Sequence, residues 1–431
     1  MDFHNPKHLV AAIQKIRAHF IENSYSAPLS VKQEETIRND PPIGPLWVSK
    51  FSVPESTDDT SRDALLRLID EANVHKIPYD RPDSVPLDLE WVGYRSNVDK
   101  DTPESSISEG ENQNTPPCYY KLVGKLAQGT GANVLMVRQR LAPQHPFPAA
   151  LLDVLHAYLT LINPPPGSPH EAVSPSSIVF AGDSSGGCLA LSLLQVILQL
   201  QRQEANVKFH GTTLKFSSRS PMVPAGIALL SPVPDLAGAF PSFERNSHCD
   251  IYPTPVEKLP YLERRFPTDH IWPAKPPRAN FYCEAGMLAH PLVSTAVADD
   301  WSGSCPMWIG MGQEQAQDCS RMVAQEAHRA GVSVTLREYE CMLHAFFAVF
   351  PGAPQSKQIY EKWMQAIVQF GKGEQPPSSA CFVRARGLKE ETLDPDSLID
   401  LNLEEARKMT WERTHAYKVP SYHQEGGRSN L

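Results

Sequence analysis

Ile178-Val179-Phe180-Ala181 is a short apolar run that leads into Gly182-Asp183-Ser184-Ser185-Gly186-Gly187 and then into a long helical pattern. Gly-x-Ser-x-Gly in a strand–turn–helix context is the signature of a nucleophile elbow. Side chains two positions either side of the serine would collide in so tight a turn, and glycine at 182 and 186 removes them. Gly187 lets the following helix pack close to the sheet. The Ser184 hydroxyl is then expected above the C-terminal edge of a sheet, near the positive end of a helix dipole. Ser185 is not the nucleophile in this register, because position 183 is Asp where the motif needs Gly; its backbone N–H is instead the expected oxyanion donor. The bland alternative is a glycine-rich turn that binds phosphate or merely turns.

An activated serine needs a base, and the base needs an orienting acid. Of 15 histidines, His344 follows an expected strand and precedes Phe346-Phe347, in the chain order serine, acid, histidine. His145, His156, His210 and His290 read as ordinary surface or core residues. Two carboxylates, Glu314 and Asp318, follow the strand expected at Met307–Gly310, and either type could hold the imidazole tautomer. Asp299 and Asp300 read as solvated loop residues. The chemistry this set would perform is acyl transfer through a covalent intermediate on Ser184.

Several stretches together resemble the hormone-sensitive-lipase-like esterases, the fold-3 group of α/β-hydrolases, over roughly residues 119–371. The elbow is similar to that family's Gly-Asp-Ser-Ala-Gly-Gly. Arg140-Leu141-Ala142-Pro143-Gln144 with Pro146-Phe147-Pro148-Ala149-Ala150 is similar to the segment after its fourth strand. Ser231-Pro232 with Asp235-Leu236, and Met342-Leu343-His344-Ala345-Phe346, resemble the stretch after its sixth strand and its histidine loop. The family's acid lies about thirty residues before its histidine. The resemblance therefore implies Glu314 as the acid, with Asp318 the alternative, and a carboxylic ester as substrate.

Two features depart from that family. Its His-Gly-Gly loop, which gives backbone N–H groups to the oxyanion hole, has no counterpart here, and Gln139 stands where an aromatic is usual. Between Arg95 and Tyr119, where that loop and a central strand belong, Asn97–Pro117 is acidic and rich in Ser, Asn and Pro. This reads as a loop. Sheet edges on either side of the absent strand would keep unpaired backbone groups. Removing one oxyanion donor typically lowers turnover by about 10²–10³. An active ester hydrolase, a weakened hydrolase-fold protein that binds a small molecule or partner, and a peptidase all remain open, since fold alone does not separate them.

The surrounding elements suit a mostly parallel sheet covered by helices on both faces. Helices are expected at Tyr120–Gln128, Ala149–Ile162, 186–202, 316–330 and Gln355–Phe370. Strands are expected at Asn133–Val137, Ser177–Ala181, Ala225–Leu230, Met307–Gly310 and Val332–Tyr339. Leu87–Arg95 reads as extended. Leu9, Ile13, Ile16 and Phe20 recur at helical spacing, as in a helix packed on the body of a protein. Residues 1–118 are thus expected as an N-terminal segment of helix, first strands and acidic loop, and 119–371 as an α/β-hydrolase core. A proline- and aromatic-rich cap is expected around 235–290. Residues 372–431 read as a polar appendage, helical only at Ser397–Trp411.

Composition narrows the partners. A net charge of −9 provides no field for nucleic acid. The eight cysteines are scattered singly, without Cys-x-x-Cys, so no metal or cofactor is expected and reduced intracellular thiols are. No secretory signal is read at the start, and the longest apolar stretch, Cys188–Leu200, is too short to span a bilayer. The expected setting is cytoplasmic and the expected partner a small hydrophobic ester.

Overall fold

Met307–Gly312 and Gly226–Leu230 are buried at every position, the mark of strands covered on both faces. A computed structural model describes residues 2–36, 45–56, 59–96, 117–219, 221–253 and 258–422. In chain order its strands are β1 (Leu46–Val53), β2 (Leu87–Tyr94), β3 (Val134–Val137), β4 (Val179–Asp183), β5 (Asn206–Phe209) and β6 (Thr212–Lys215). There follow β7 (Gly226–Leu230), β8 (Met307–Gly312), β9 (Val334–Tyr339), β10 (Ser379–Val383) and β11 (Glu390–Leu393). The helices are α1 (Pro6–Asn23), α2 (Leu29–Thr36), α3 (Ser61–Ala72), α4 (Pro117–Thr130), α5 (Ala149–Ile162) and α6 (Ser184–Arg202). Then come α7 (Ser242–Arg245), α8 (Gln317–Arg329), α9 (Phe346–Val349), α10 (Pro354–Gly371) and α11 (Leu403–Thr414).

The larger sheet runs β11-β10-β9-β8-β7-β4, parallel from β4 to β10 with β11 antiparallel at one edge. Its two faces follow from alternation along the strands. Ile227, Leu229, Met307, Ile309 and Met311 pack with α6 and α8, whereas Ala228, Leu230 and Trp308 pack with α10. Burying one such large apolar side chain stabilises by about 1.5–3 kcal/mol, so this double layer is what holds the strand ends rigid. Helix α6 has the length and hydropathy of a membrane span, yet most of it is buried against this sheet.

β1, β2 and β3 form a separate antiparallel sheet. No ladder joins β3 to β4 among the described residues. β4 pairs with β7 alone, and Ala181 in its middle is exposed. Among the described residues, the sheet is therefore interrupted where the absent strand was expected. Of the acidic stretch expected as a loop, residues 97–116 lie outside the described residues.

The C-terminal expectation needs correction. Residues after 372 are not an appendage, because β10 pairs in parallel with β9 and carries the sheet outward. Ala380, Leu398 and Ala406 join the core under α8, Val383 and Ala385 join the core under α10, and Tyr417 joins the core around α5. β10 shows a mixed burial pattern next to the edge strand β11, so its sequence lacks the continuous apolar run of a fully covered strand. The helix expected at Ser397–Trp411 begins later, at Leu403, where Asn402 and Glu405 form a capping box.

Between β7 and β8 the described residues form only α7 and short 3₁₀ turns. Phe266, Trp272 and Ala274 gather there with Tyr261 and Phe281, and Tyr25 and Leu29 pack on the same cluster.

Candidate active site

The C-terminal ends of four adjacent strands carry the site. β4 ends in Asp183, paired with Leu230 of β7, so Ser184 and Ser231 leave neighbouring strands side by side. β8 ends at Gly312 opposite Tyr339 of β9, and the loops that follow carry Glu314 and His344. This edge of a parallel sheet is where ligands of open α/β folds bind.

The elbow is sharp enough to force Ser184 to φ +52°, a backbone state that costs a non-glycine residue about 1–3 kcal/mol and clusters at functional sites. Ser231, Cys341 and Ala345, all around the same site, also have positive φ. A Cβ on Gly182 would meet the carbonyl carbon and oxygen of Gly186 at 2.6 Å, so the close approach needs glycine at 182. The expectation for Gly186 is corrected: a Cβ there meets nothing within 4 Å, because it points into open space at the start of α6. Ser185 is exposed in the first turn of α6, where backbone N–H groups lack intrahelical acceptors.

His344 Nε2 lies 2.8 Å from Ser184 Oγ, and His344 Nδ1 lies 3.0 Å from Glu314 Oε1. A buried carboxylate only accepts, so Nδ1–H donates to Glu314 and Nε2 is left free to accept from the serine hydroxyl. The other Glu314 oxygen accepts from Ser231 Oγ at 2.7 Å and from the Gly312 N–H at 3.2 Å. Both of its oxygens are thereby fixed. Asp318 is elsewhere: it opens α8 and is bound by Arg245 at 2.6 and 2.9 Å.

Asp250 is a buried residue that sequence reading passed over. Its carboxylate accepts the N–H of His344 at 3.1 Å and of Gln315 at 2.7 Å, tying the two loops together. Two residues on, the half-buried Tyr252 ring stands 5.3 Å from the His344 ring, whose Nε2 faces Ser184 Oγ. Neither residue belongs to a local motif, so only the folded chain brings them in. Ser231 had a signal, the Ser-Pro step after an apolar strand, but no role was read from it.

Burial alone would push the His344 pKa down, but the negative charges of Glu314, Asp250 and Asp183 outweigh it and hold the imidazole above its usual range. Burial, and then the charge of Glu314, push the Asp250 carboxyl up. Burial does the same to Asp183.

Residues 112–348, more than half of the chain, match the family model of the alpha/beta hydrolase fold. The chain belongs to the α/β-hydrolase fold family. This agrees with the motif resemblance and with the mostly parallel sheet. Among proteins similar to this α/β-hydrolase, an acetyl-hydrolase of Streptomyces hygroscopicus is 29% identical over 57% of this chain and 68% of its own. An esterase of Acinetobacter venetianus is 26% identical over 56% of this chain and 65% of its own, just under two thirds of its length. A crystallised hormone-sensitive lipase from a metagenome library is 20% identical, covering 84% of this chain and 98% of its own with a TM-score of 0.47.

Proposed function

We propose that this α/β-hydrolase hydrolyses carboxylic esters through an acyl-enzyme on Ser184. The observation that carries the proposal is the continuous chain from Ser184 Oγ through His344 to Glu314, at 2.8 and 3.0 Å. Ser184 Oγ attacks the acyl carbon while His344 Nε2 takes its proton, then returns it to the departing alkoxide. Water attacks the acyl-enzyme in turn, losing its proton to His344, and the bond to Ser184 Oγ breaks as His344 returns that proton to the serine. Glu314 holds the imidazole and balances the imidazolium charge. The Ser185 N–H, at the positive end of α6, is read as one oxyanion donor. Similar proteins named acetyl-hydrolase and esterase support a small ester as substrate.

In this reading residues 235–290 form the cap, and its aromatic residues favour a hydrophobic ester. An intracellular setting is supported by seven described cysteines that are all free thiols. Weakened catalysis is the second reading, favoured by the interruption of the sheet beside β4 among the described residues and by the absent His-Gly-Gly loop. Labelling with a fluorophosphonate, against a Ser184→Ala control, tests the proposal without knowledge of the natural ester. Equal labelling of both proteins, or none of either, would remove Ser184 as the nucleophile.

A further inference from the structure

An ester-hydrolysing serine needs donors for the negative charge that develops on the carbonyl oxygen, and one N–H is seldom enough. Ser185 can give one donor, and this chain has no His-Gly-Gly loop to give others. The segment entering from the other side of His344 carries a different kind of donor. Asp250 pins that segment to the Gln315 and His344 backbones. Tyr252 then lies against the imidazole whose Nε2 meets Ser184 Oγ at 2.8 Å, the two rings 5.3 Å apart and inclined at 57°.

The phenol is held from behind by α1. Arg17 Nη2 donates to the Tyr252 carbonyl at 2.7 Å, and the Phe20 ring meets the Tyr252 ring edge-on at 5.9 Å. Tyr252 is thus clamped between the base loop on one side and a helix on the other. Preorganised donors of this sort are effective because they need no rearrangement as charge develops. Burial, reinforced by the charges of Asp250 and Glu314, pushes the phenol pKa up, so it stays protonated and able to donate throughout the working range of the histidine.

We propose that Tyr252 is a catalytic residue whose hydroxyl donates a hydrogen bond to the oxyanion formed on attack by Ser184. This rests on the ester-hydrolase reading given above. As the bond from Ser184 Oγ to the acyl carbon forms, the carbonyl π pair moves to oxygen and the serine proton moves to His344 Nε2. When that pair returns, the bond to the leaving alkoxide breaks and His344 gives the alkoxide its proton. Tyr252 keeps its own proton in both steps. Arg17 is a positioning residue that acts through Tyr252.

The test compares the full chain with Y252F and R17A, using p-nitrophenyl butyrate, a fluorophosphonate and an aliphatic trifluoromethyl ketone that forms a tetrahedral adduct. In Y252F, kcat should fall about 10²–10³-fold, with KM within about twofold by the logic of binding confined to the transition state. The ketone should lose affinity by the same factor as kcat. Y252F kcat and ketone affinity within about threefold of wild type, a difference worth only ~0.7 kcal/mol, would overturn the proposal while leaving the ester-hydrolase reading intact. Absence of labelling and turnover in the wild type would instead bring down that reading, and this inference with it. Should Y252F not fold, R17A carries the test: it keeps the phenol but frees its backbone, and is expected to lower kcat and ketone affinity in parallel. An R17A enzyme unchanged in both would count against the proposal.

Discussion

The side chain of Asp250 receives the backbone N–H of His344 at 3.1 Å, across 94 positions of chain. Its second oxygen receives Gln315 N at 2.7 Å, so one buried carboxylate sets the spacing of the loops that carry Glu314 and His344. It is also one of three negative charges that raise the imidazole pKa, the others being Glu314 and Asp183. A histidine base works only when neutral, so kcat/KM should rise with pH through a midpoint above the usual histidine value, about 6.5. Asp250→Asn removes a charge that raises this pKa, so the midpoint should move to lower pH. The same change leaves one backbone N–H facing an amide nitrogen, and kcat should drop about tenfold or more, as a loss of roughly 1–3 kcal/mol would give. A pH–rate profile of both proteins checks the two effects together.

Substituting the carboxylates separately assigns the acid. Glu314→Gln leaves a neutral amide beside Nδ1 and should lower kcat on the order of 10³-fold or more, as for orienting acids in comparable sites. Asp318→Asn breaks the pair with Arg245 instead, and should cost stability with kcat within a few-fold of wild type. Parallel kinetics on a p-nitrophenyl ester and thermal melts of the two variants give the answer; a larger kinetic loss in the Asp318 variant would reverse the assignment.

The elbow can be tested without touching a reactive group. A Cβ at position 182 would press on the Gly186 carbonyl at 2.6 Å, and only backbone movement relieves it. Gly182→Ala should therefore destabilise by about 1–3 kcal/mol, the usual range for overpacking, and slow fluorophosphonate labelling. Gly186→Ala meets open space and should cost much less in both.

Removing everything beyond Gly373 bares the edge of β9 and strips Ala380, Val383, Ala385, Leu398, Ala406 and Tyr417 from three cores at once. At about 1.5–3 kcal/mol for each of the larger side chains, Val383, Leu398 and Tyr417, the loss is already of the order of an ordinary domain's stability, about 5–15 kcal/mol. The truncated chain should not accumulate in folded form. Calorimetry on a truncated protein that melts cooperatively near the full chain's temperature would contradict this.

What could be read from sequence was local. The apolar run before Gly182, the helical period after it and the thirty-residue spacing from Glu314 to His344 all lie in short windows where periodicity and turn chemistry act. β8 was legible as an apolar run, and β9 from the alternation Val332-Ser333-Val334-Thr335-Leu336. β10 and β11 were not, since half-covered strands at and beside the sheet's edge look like amphiphilic loops until their neighbours are known. β5 and β6 are joined by a tight hairpin turn at His210-Gly211, both at positive φ, a pair that signals a turn less plainly than Asn-Gly. Asp250, Tyr252 and Arg17 act across folds of the chain far from their own positions, and nothing in their immediate neighbours distinguishes them from ordinary polar residues.

The parallel pairing of β10 with β9 also sets a timetable. During synthesis Ser184 leaves the ribosome long before His344, and the strand that flanks the His344 loop stays bare until Ser379–Val383 has followed. A parallel partner cannot be supplied by a local hairpin, since the connection between β9 and β10 runs through all of α10. The nascent chain thus carries a potential nucleophile well before the packed sheet that would arm it. On the proposed mechanism, ester chemistry can begin only after Ser379–Val383 has emerged and β10 has paired with β9 beside the His344 loop.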